Sequence, residues 1–163
     1  MAAAVIGALE ARDAAVLRPA TDADAPAVAD VLIATRRAFM PYAPMAHDPA
    51  DVRRWVREVL VPSGGVTVAC VAEAVAGVLA TSESDGSAWV DQLYVAPGFT
   101  GRGIGATLLG HAMVSCRRPL RLHCFQANLG ARRFYERHGF RAVAFTDGQA
   151  NEERCPDVLF EFR

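Results

Sequence analysis

"LYVAPGFTGRGIGATLL", Leu93 to Leu109, starts as a strand, passes a proline, spends three glycines at alternate positions and runs into an apolar helical segment. Glycine loses more conformational entropy on folding than other residues, so a cluster of them needs a cause. One cause is a bend that a Cβ would obstruct. The other is a ligand that must approach bare backbone. The first N–H groups of a helix have no intrahelical partner and the helix dipole adds partial positive charge there, so a glycine turn opening a helix suits an anion. Gly101, Gly103 and Gly105 therefore read either as a tight turn or as a phosphate cradle.

Two nucleotide readings fit poorly. "GRGIGA" formally satisfies the dinucleotide pattern G-x-G-x-x-A. However, Pro97 and a further loop part the strand from the glycines, and the next strand, Leu120 to Gln126, ends without the acidic residue that would hold a ribose. The segments before the glycines read as helix, helix and hairpin rather than as repeated strand–helix units. A nucleoside-triphosphate loop would need Lys-Ser/Thr after the glycines, and Ala106-Thr107 stands there.

Composition narrows the field further. A chain of 163 residues, 52% of them hydrophobic, suits one domain with a full core. The net charge of -1 gives no overall basic field for nucleic acid. Cys70, Cys116, Cys124 and Cys155 form no C-x-x-C pair, so no metal is expected, and they read as thiols of a reducing compartment. The opening "MAAAVIGALEARDAAV" lacks a basic start, and Glu10, Arg12 and Asp13 break its apolar run, so it is read as no signal peptide. No stretch approaches the ~20 apolar residues of a membrane span. The expectation is a cytoplasmic protein without a membrane or nucleic-acid partner. Residues 1–15 are expected to be a frayed extension and 16–163 one domain.

Along the chain, Val16 to Arg18 reads as a short strand. Thr21 and Asp24 form a capping-box pattern before a helix whose Val28, Val31, Leu32, Thr35 and Phe39 keep helical spacing. Asp48, Pro49 and Asp51 open a second helix with Val52, Trp55, Val56, Val59 and Leu60 as its expected buried stripe. A hairpin turning near Glu73–Ala74 follows, then the strand "SAWVDQLYV", the glycine turn, and a helix to about Cys116. "LRLHCFQ" alternates as a strand, and "NLGARRFYERHG" is a helix with Asn128 near its start and Gly139 as its stop. "FRAVAFT" and "DVLFEF" are further strands. The reading is α/β (α+β).

The glycine segment followed by "NLGARRFYERHGF" resembles the GNAT superfamily of coenzyme A-dependent N-acetyltransferases. "LRPATDADAPAVADVL" and "PDVLFEF" resemble the family's two ends, so the likeness covers nearly all of the chain from Val16. It implies a mixed, mostly antiparallel sheet of six or seven strands, splayed at the acetyl-coenzyme A site, with helices on both faces. It implies acetyl-coenzyme A as co-substrate, held by Leu93, Tyr94, Val95, Gly101, Arg102, Gly103, Ile104, Gly105, Ala106, Asn128, Ala131, Phe134 and Tyr135. It is compatible with a homodimer. The chain departs from the family at Thr100, where Gln or Arg is frequent, which puts one side-chain contact to the cofactor in doubt.

Acetyl transfer from a thioester to an amine makes chemical demands that residue types can meet. Backbone N–H groups at a helix start, with Arg102 beside them, suit the phosphates. A backbone N–H freed where strands splay, within Leu93 to Val95 on the family's pattern, suits the carbonyl oxygen as it gains charge. The leaving thiolate needs a proton. The resemblance assigns that role to Tyr135, a phenol of pKa near ~10 seven residues after Asn128. Tyr135 also suits an aromatic core position and Asn128 a plain helix cap. The amine needs a base: Asp91 and His123 lie on the strands flanking the expected splay, each equally readable as an ordinary strand residue. Glu83, Glu152 and Glu153 are weaker candidates. Tyr42, Met45 and His47 lie in the inter-helix stretch where the family builds its acceptor wall. His111 and His138 read as helix-surface residues. No cysteine sits in a nucleophile motif. The expected function is acetyl transfer to a primary amine of a small molecule in a ternary complex. The alternatives are a protein or peptide amine as acceptor, or a non-catalytic acyl-coenzyme A binding module.

Overall fold

The computed structural model describes residues 14–163, so the expected N-terminal extension lies outside the described residues except for Ala14 and Ala15. Local signals set most element boundaries. After strand β1 (Val16–Pro19), the Thr21 N–H donates to Asp24 Oδ2 at 2.7 Å, completing the capping box ahead of helix α1 (Ala25–Phe39). Asp48 caps helix α2 (Pro49–Trp55) by accepting from the Asp51 N–H at 2.9 Å. The helix then widens into a π-helical turn over Val56–Leu60. Strands β2 (Val66–Val71), β3 (Ala74–Ser84) and β4 (Ser87–Val95) form a meander. Helix α3 (Ile104–Ser115), strand β5 (Leu120–Phe125), helix α4 (Leu129–Arg137), and strands β6 (Arg141–Phe145) and β7 (Asp157–Phe162) complete the chain.

The sheet has seven strands in the order β1-β2-β3-β4-β5-β7-β6. All neighbours are antiparallel except β4 and β5, which pair in parallel only at Ala88–Leu120 and Trp89–Arg121. Beyond those pairs the two strands diverge, and β4 from Asp91 to Val95 keeps β3 on one side only. A β-bulge helps to turn it: Ala80 faces Gln92 and Thr81 faces Val90, leaving Asp91 as the extra residue.

Each sheet face has its own core. One is built from Leu79, Leu122, Phe160 and, on α3, Leu108 and Leu109; the other from Val68, Val78 and, on α1, Val28 and Leu32. Helices thus cover both faces, as expected. The expected stripe of α2 is corrected in part. Val56 and Leu60 are buried, but Trp55 and Val59 are exposed, and Val52 is half-buried. The apolar arc of this helix is wider than its contact with the core. Phe39, at the end of α1, is exposed as well. No helix among the described residues is long and apolar enough to cross a membrane.

Gly65 marks the tightest approach in the meander. A Cβ there would stand 2.1 Å from the Thr81 carbonyl oxygen, whose own N–H donates to the Gly65 carbonyl at 2.9 Å. Gly65→Ala must push two bonded backbones apart. The expected cost is about 3 kcal/mol, the upper part of the overpacking range, or roughly 6–12 °C in melting temperature at this size. Thermal unfolding with an unshifted midpoint would show that the hairpin yields freely.

Candidate active site

The loop between β4 and α3 leaves its backbone open to an approaching group. Gly101 and Gly103 both adopt φ +77°, a left-handed conformation that L side chains rarely take, and no atom lies within 4 Å of where a Cβ would stand on either. Gly103 is the N-cap of α3, and the Gly101, Arg102 and Gly103 residues are exposed. Bare, open backbone at the head of a 12-residue helix fits a phosphate-bearing group. Thr100 turns its hydroxyl to the Pro97 carbonyl at 3.2 Å, so its side chain serves the turn. Arg102 lies over the Phe99 ring at 5.3 Å. Ile104 is buried in the core, and Phe134 packs near Gly105, its Cζ 3.7 Å from where a Cβ there would stand. Gly103→Val adds left-handed strain and places a branched side chain over the open backbone. Coenzyme A affinity is expected to fall at least tenfold, about 1.4 kcal/mol, with the fold retained. Unchanged affinity by calorimetry would end the cradle reading.

The divergence of β4 and β5 opens a cavity of about 520 Å³ lined by Asp91, Leu93, Tyr94, His123, Asn128, Ala131 and Tyr135. Residues far apart in sequence thus meet in one cleft. Asn128 caps α4, its side-chain oxygen accepting from the Ala131 N–H at 3.1 Å, and so holds the helix that carries Tyr135. The Tyr135 ring sits among Phe134, Phe140 and Phe160, with centroids 5.3, 5.8 and 5.9 Å away. Burial raises the phenol pKa above its ordinary value, so the group stays protonated through the neutral range. Core packing and cleft lining are both true of this residue. Cys124 also lines the cleft, and burial pushes its thiol up to about 11. A thiol of that pKa carries little thiolate at neutral pH and makes a poor nucleophile.

The two base candidates sit differently. Asp91 occupies the β4 bulge, where partial burial raises its carboxyl pKa and a hydrogen bond with Ser82 opposes the rise. His123 lies on β5, stacked on Trp89 with centroids 5.7 Å apart and planes 8° from parallel. Its Nδ1 stands 3.6 Å from Oδ2 of Asp157, a residue unremarkable in the sequence. Asp157 is nearly buried, and both its oxygens are held: the Thr146 hydroxyl donates to Oδ1 at 2.5 Å and the Asn151 amide to Oδ2 at 3.0 Å. Register explains the meeting. Phe125 pairs with Asp157 and His123 with Leu159, so His123 and Asp157 are diagonal neighbours on one face. Glu83 lies away from the cleft, 3.6 Å from Arg117.

Across the mouth of the cleft, the stretch after α1 meets the loop between β6 and β7. Arg36 pairs with Glu153 at 2.8 Å and His47 with Glu152 at 3.0 Å, while the Cys155 thiol approaches the Tyr42 carbonyl at 3.5 Å. A second cavity, about 660 Å³, lies on this side and is lined by Met45 and His47 among others. Arg36, Gln92, Tyr94 and Glu153 border both cavities. His111 is exposed on α3, and His138, half-buried, contacts the Phe134 carbonyl at 2.7 Å.

Residues 32–140 match the Acetyltransferase (GNAT) family, and the chain belongs to that family. Solved structures share the fold at low identity. A GNAT-family acetyltransferase from Bacillus cereus superimposes with a TM-score of 0.73 at 12% identity, covering 91% of this chain and 96% of that one. The PaiA N-acetyltransferase of Thermoplasma acidophilum, in complex with coenzyme A, gives 0.68 at 19% identity, covering 91% and 98%. Arabidopsis thaliana Naa50, bound to a bisubstrate analogue, gives 0.70 at 17% identity, covering 92% and 99%. No curated protein matches the chain at a significant level.

Proposed function

We propose that residues 16–163 form one N-acetyltransferase domain that moves acetyl from acetyl-coenzyme A to the primary amine of a small molecule by direct attack in a ternary complex. The observation that carries this is the cleft itself: an unpaired edge of β4, a buried protonated phenol and a carboxylate-flanked histidine around one cavity. Acetyl-coenzyme A supplies an activated thioester carbonyl. The backbone from Gly101 to Ala106 holds phosphate, and Arg102 adds charge. A backbone N–H on the free edge between Leu93 and Val95 donates to the carbonyl oxygen as negative charge develops there. His123, oriented by Asp157 and by the Trp89 ring, takes the proton of the attacking amine; Asp91 is the rival for that role. Tyr135 donates its proton to the departing sulfur. The high pKa of the Cys124 thiol favours direct transfer over a covalent acyl-enzyme.

The test is mass spectrometry of a broad amine and peptide panel incubated with the protein and acetyl-coenzyme A. Acetylated small amines support the reading. Acetylated peptides alone replace it with a protein acetyltransferase. Tight coenzyme A binding without any product replaces it with a binding module.

A further inference from the structure

The cavity beside the cleft has an unusual economy of charge. Three of its carboxylates are ion-paired, Asp51 with Arg54, Glu58 with Arg57 at 2.7 Å and Glu153 with Arg36 at 2.8 Å, and Glu152 has the His47 ring at 3.0 Å as its partner. Beside these charges and the polar Gln92 and Tyr94, the wall carries an apolar patch. Trp55 is 39% exposed and Val59 56% exposed, and both line the cavity with Leu32, Met45 and Val52. An exposed tryptophan beside an exposed valine in a concave wall is costly to leave in water, at roughly 25 cal/mol per Å² of apolar surface.

The local backbone places them there. Trp55 and Val59 are four residues apart and share one side of the helix, while Val56 and Leu60 keep the neighbouring side in the core. The π-helical turn over Val56–Leu60 carries Val59 itself, and such turns occur often at functional sites. The cavity adjoins the cleft, with Arg36, Gln92, Tyr94 and Glu153 bordering both. Its Trp55 wall is helical, with backbone groups bonded internally, so that wall offers no strand edge to an extended peptide.

We infer that this cavity receives the arm of the acceptor, and that the arm is bulky, apolar and uncharged: the substrate class is an aryl- or branched-alkyl amine. The inference rests on the acetyltransferase reading of the adjoining cleft. A polyamine would bring a second ammonium to carboxylates that already have partners, and an amino sugar would set hydroxyls against Trp55 and Val59.

The experiment compares 2-phenylethylamine, ethanolamine and putrescine, which share an aminoethyl end, with a tetrapeptide amide that starts with methionine. Turnover with acetyl-coenzyme A and binding to the coenzyme A-saturated protein are both measured. 2-Phenylethylamine is expected to exceed ethanolamine and putrescine at least tenfold in kcat/KM. Trp55→Ala and Val59→Glu should each remove most of that advantage through KM. Both sites are solvent-exposed, and melting temperature reports whether the variants fold. No preference for the aryl amine, a preference that survives both substitutions, or a tenfold preference for putrescine or for the peptide overturns the inference. Absent turnover is a separate result. If 2-phenylethylamine still binds and both variants weaken it tenfold, the transferase reading fails and the apolar groove stands. If they leave binding unchanged, the groove falls too.

Discussion

Tyr135→Phe is expected to lower kcat by about 10²–10⁴-fold, the usual span for loss of a general acid. The substitution keeps the ring, so packing against Phe134, Phe140 and Phe160 should persist. Only the hydroxyl goes. Its pKa, raised by burial, keeps it protonated where the enzyme works, so a proton is available throughout the neutral range. The KM for acetyl-coenzyme A should move little, because the loss falls on the transition state rather than on ground-state binding. A residue that served only the core would behave otherwise: kcat unchanged, or lost together with thermal stability. Measuring kcat and melting temperature on one preparation separates the two. A stable variant with wild-type kcat, chemistry being rate-limiting, removes Tyr135 from proton transfer.

What the sequence made legible was local or carried by a fixed spacing. The capping box at Thr21 and Asp24, the Asp48 cap and the glycine turn depend on neighbours within a few residues, and each forms as written. Asn128 and Tyr135 share one helix, so their joint placement on the cleft follows from spacing. Asp157 was silent because its meeting with His123 depends on the register between β5 and β7, which are separated by a helix, a strand and a loop. Trp55 and Val59 were misread for a different reason. Helical periodicity tells which residues share an apolar arc, but the neighbouring element, here α1, decides how much of that arc is covered.

The base is where that non-local pairing has its largest consequence. His123→Gln is expected to lower the rate near neutral pH by about 10²–10⁴-fold, with partial recovery at high pH, where free amine accumulates. Asp91→Asn should leave the pH–rate profile close to wild type. Geometry favours this order. The His123 ring is held on three counts: the flat stack on Trp89, the 3.6 Å approach of Asp157, and the fixing of Asp157 by Thr146 and Asn151. Asp91 sits on a bulge with no ring or carboxylate partner among the described residues fixing it as Trp89 and Asp157 fix His123. Asp157→Asn tests whether the carboxylate acts through His123. A positioning role predicts at least a tenfold fall in kcat with the acid limb of the pH profile altered and the KM for acetyl-coenzyme A unmoved. A merely structural role predicts a lower melting temperature with the profile unchanged, because the Thr146 and Asn151 contacts would be weakened without touching proton transfer. If His123→Gln keeps the wild-type profile and Asp91→Asn loses its acid limb, the roles exchange, and the bulge that presents Asp91 becomes the feature on which amine activation depends.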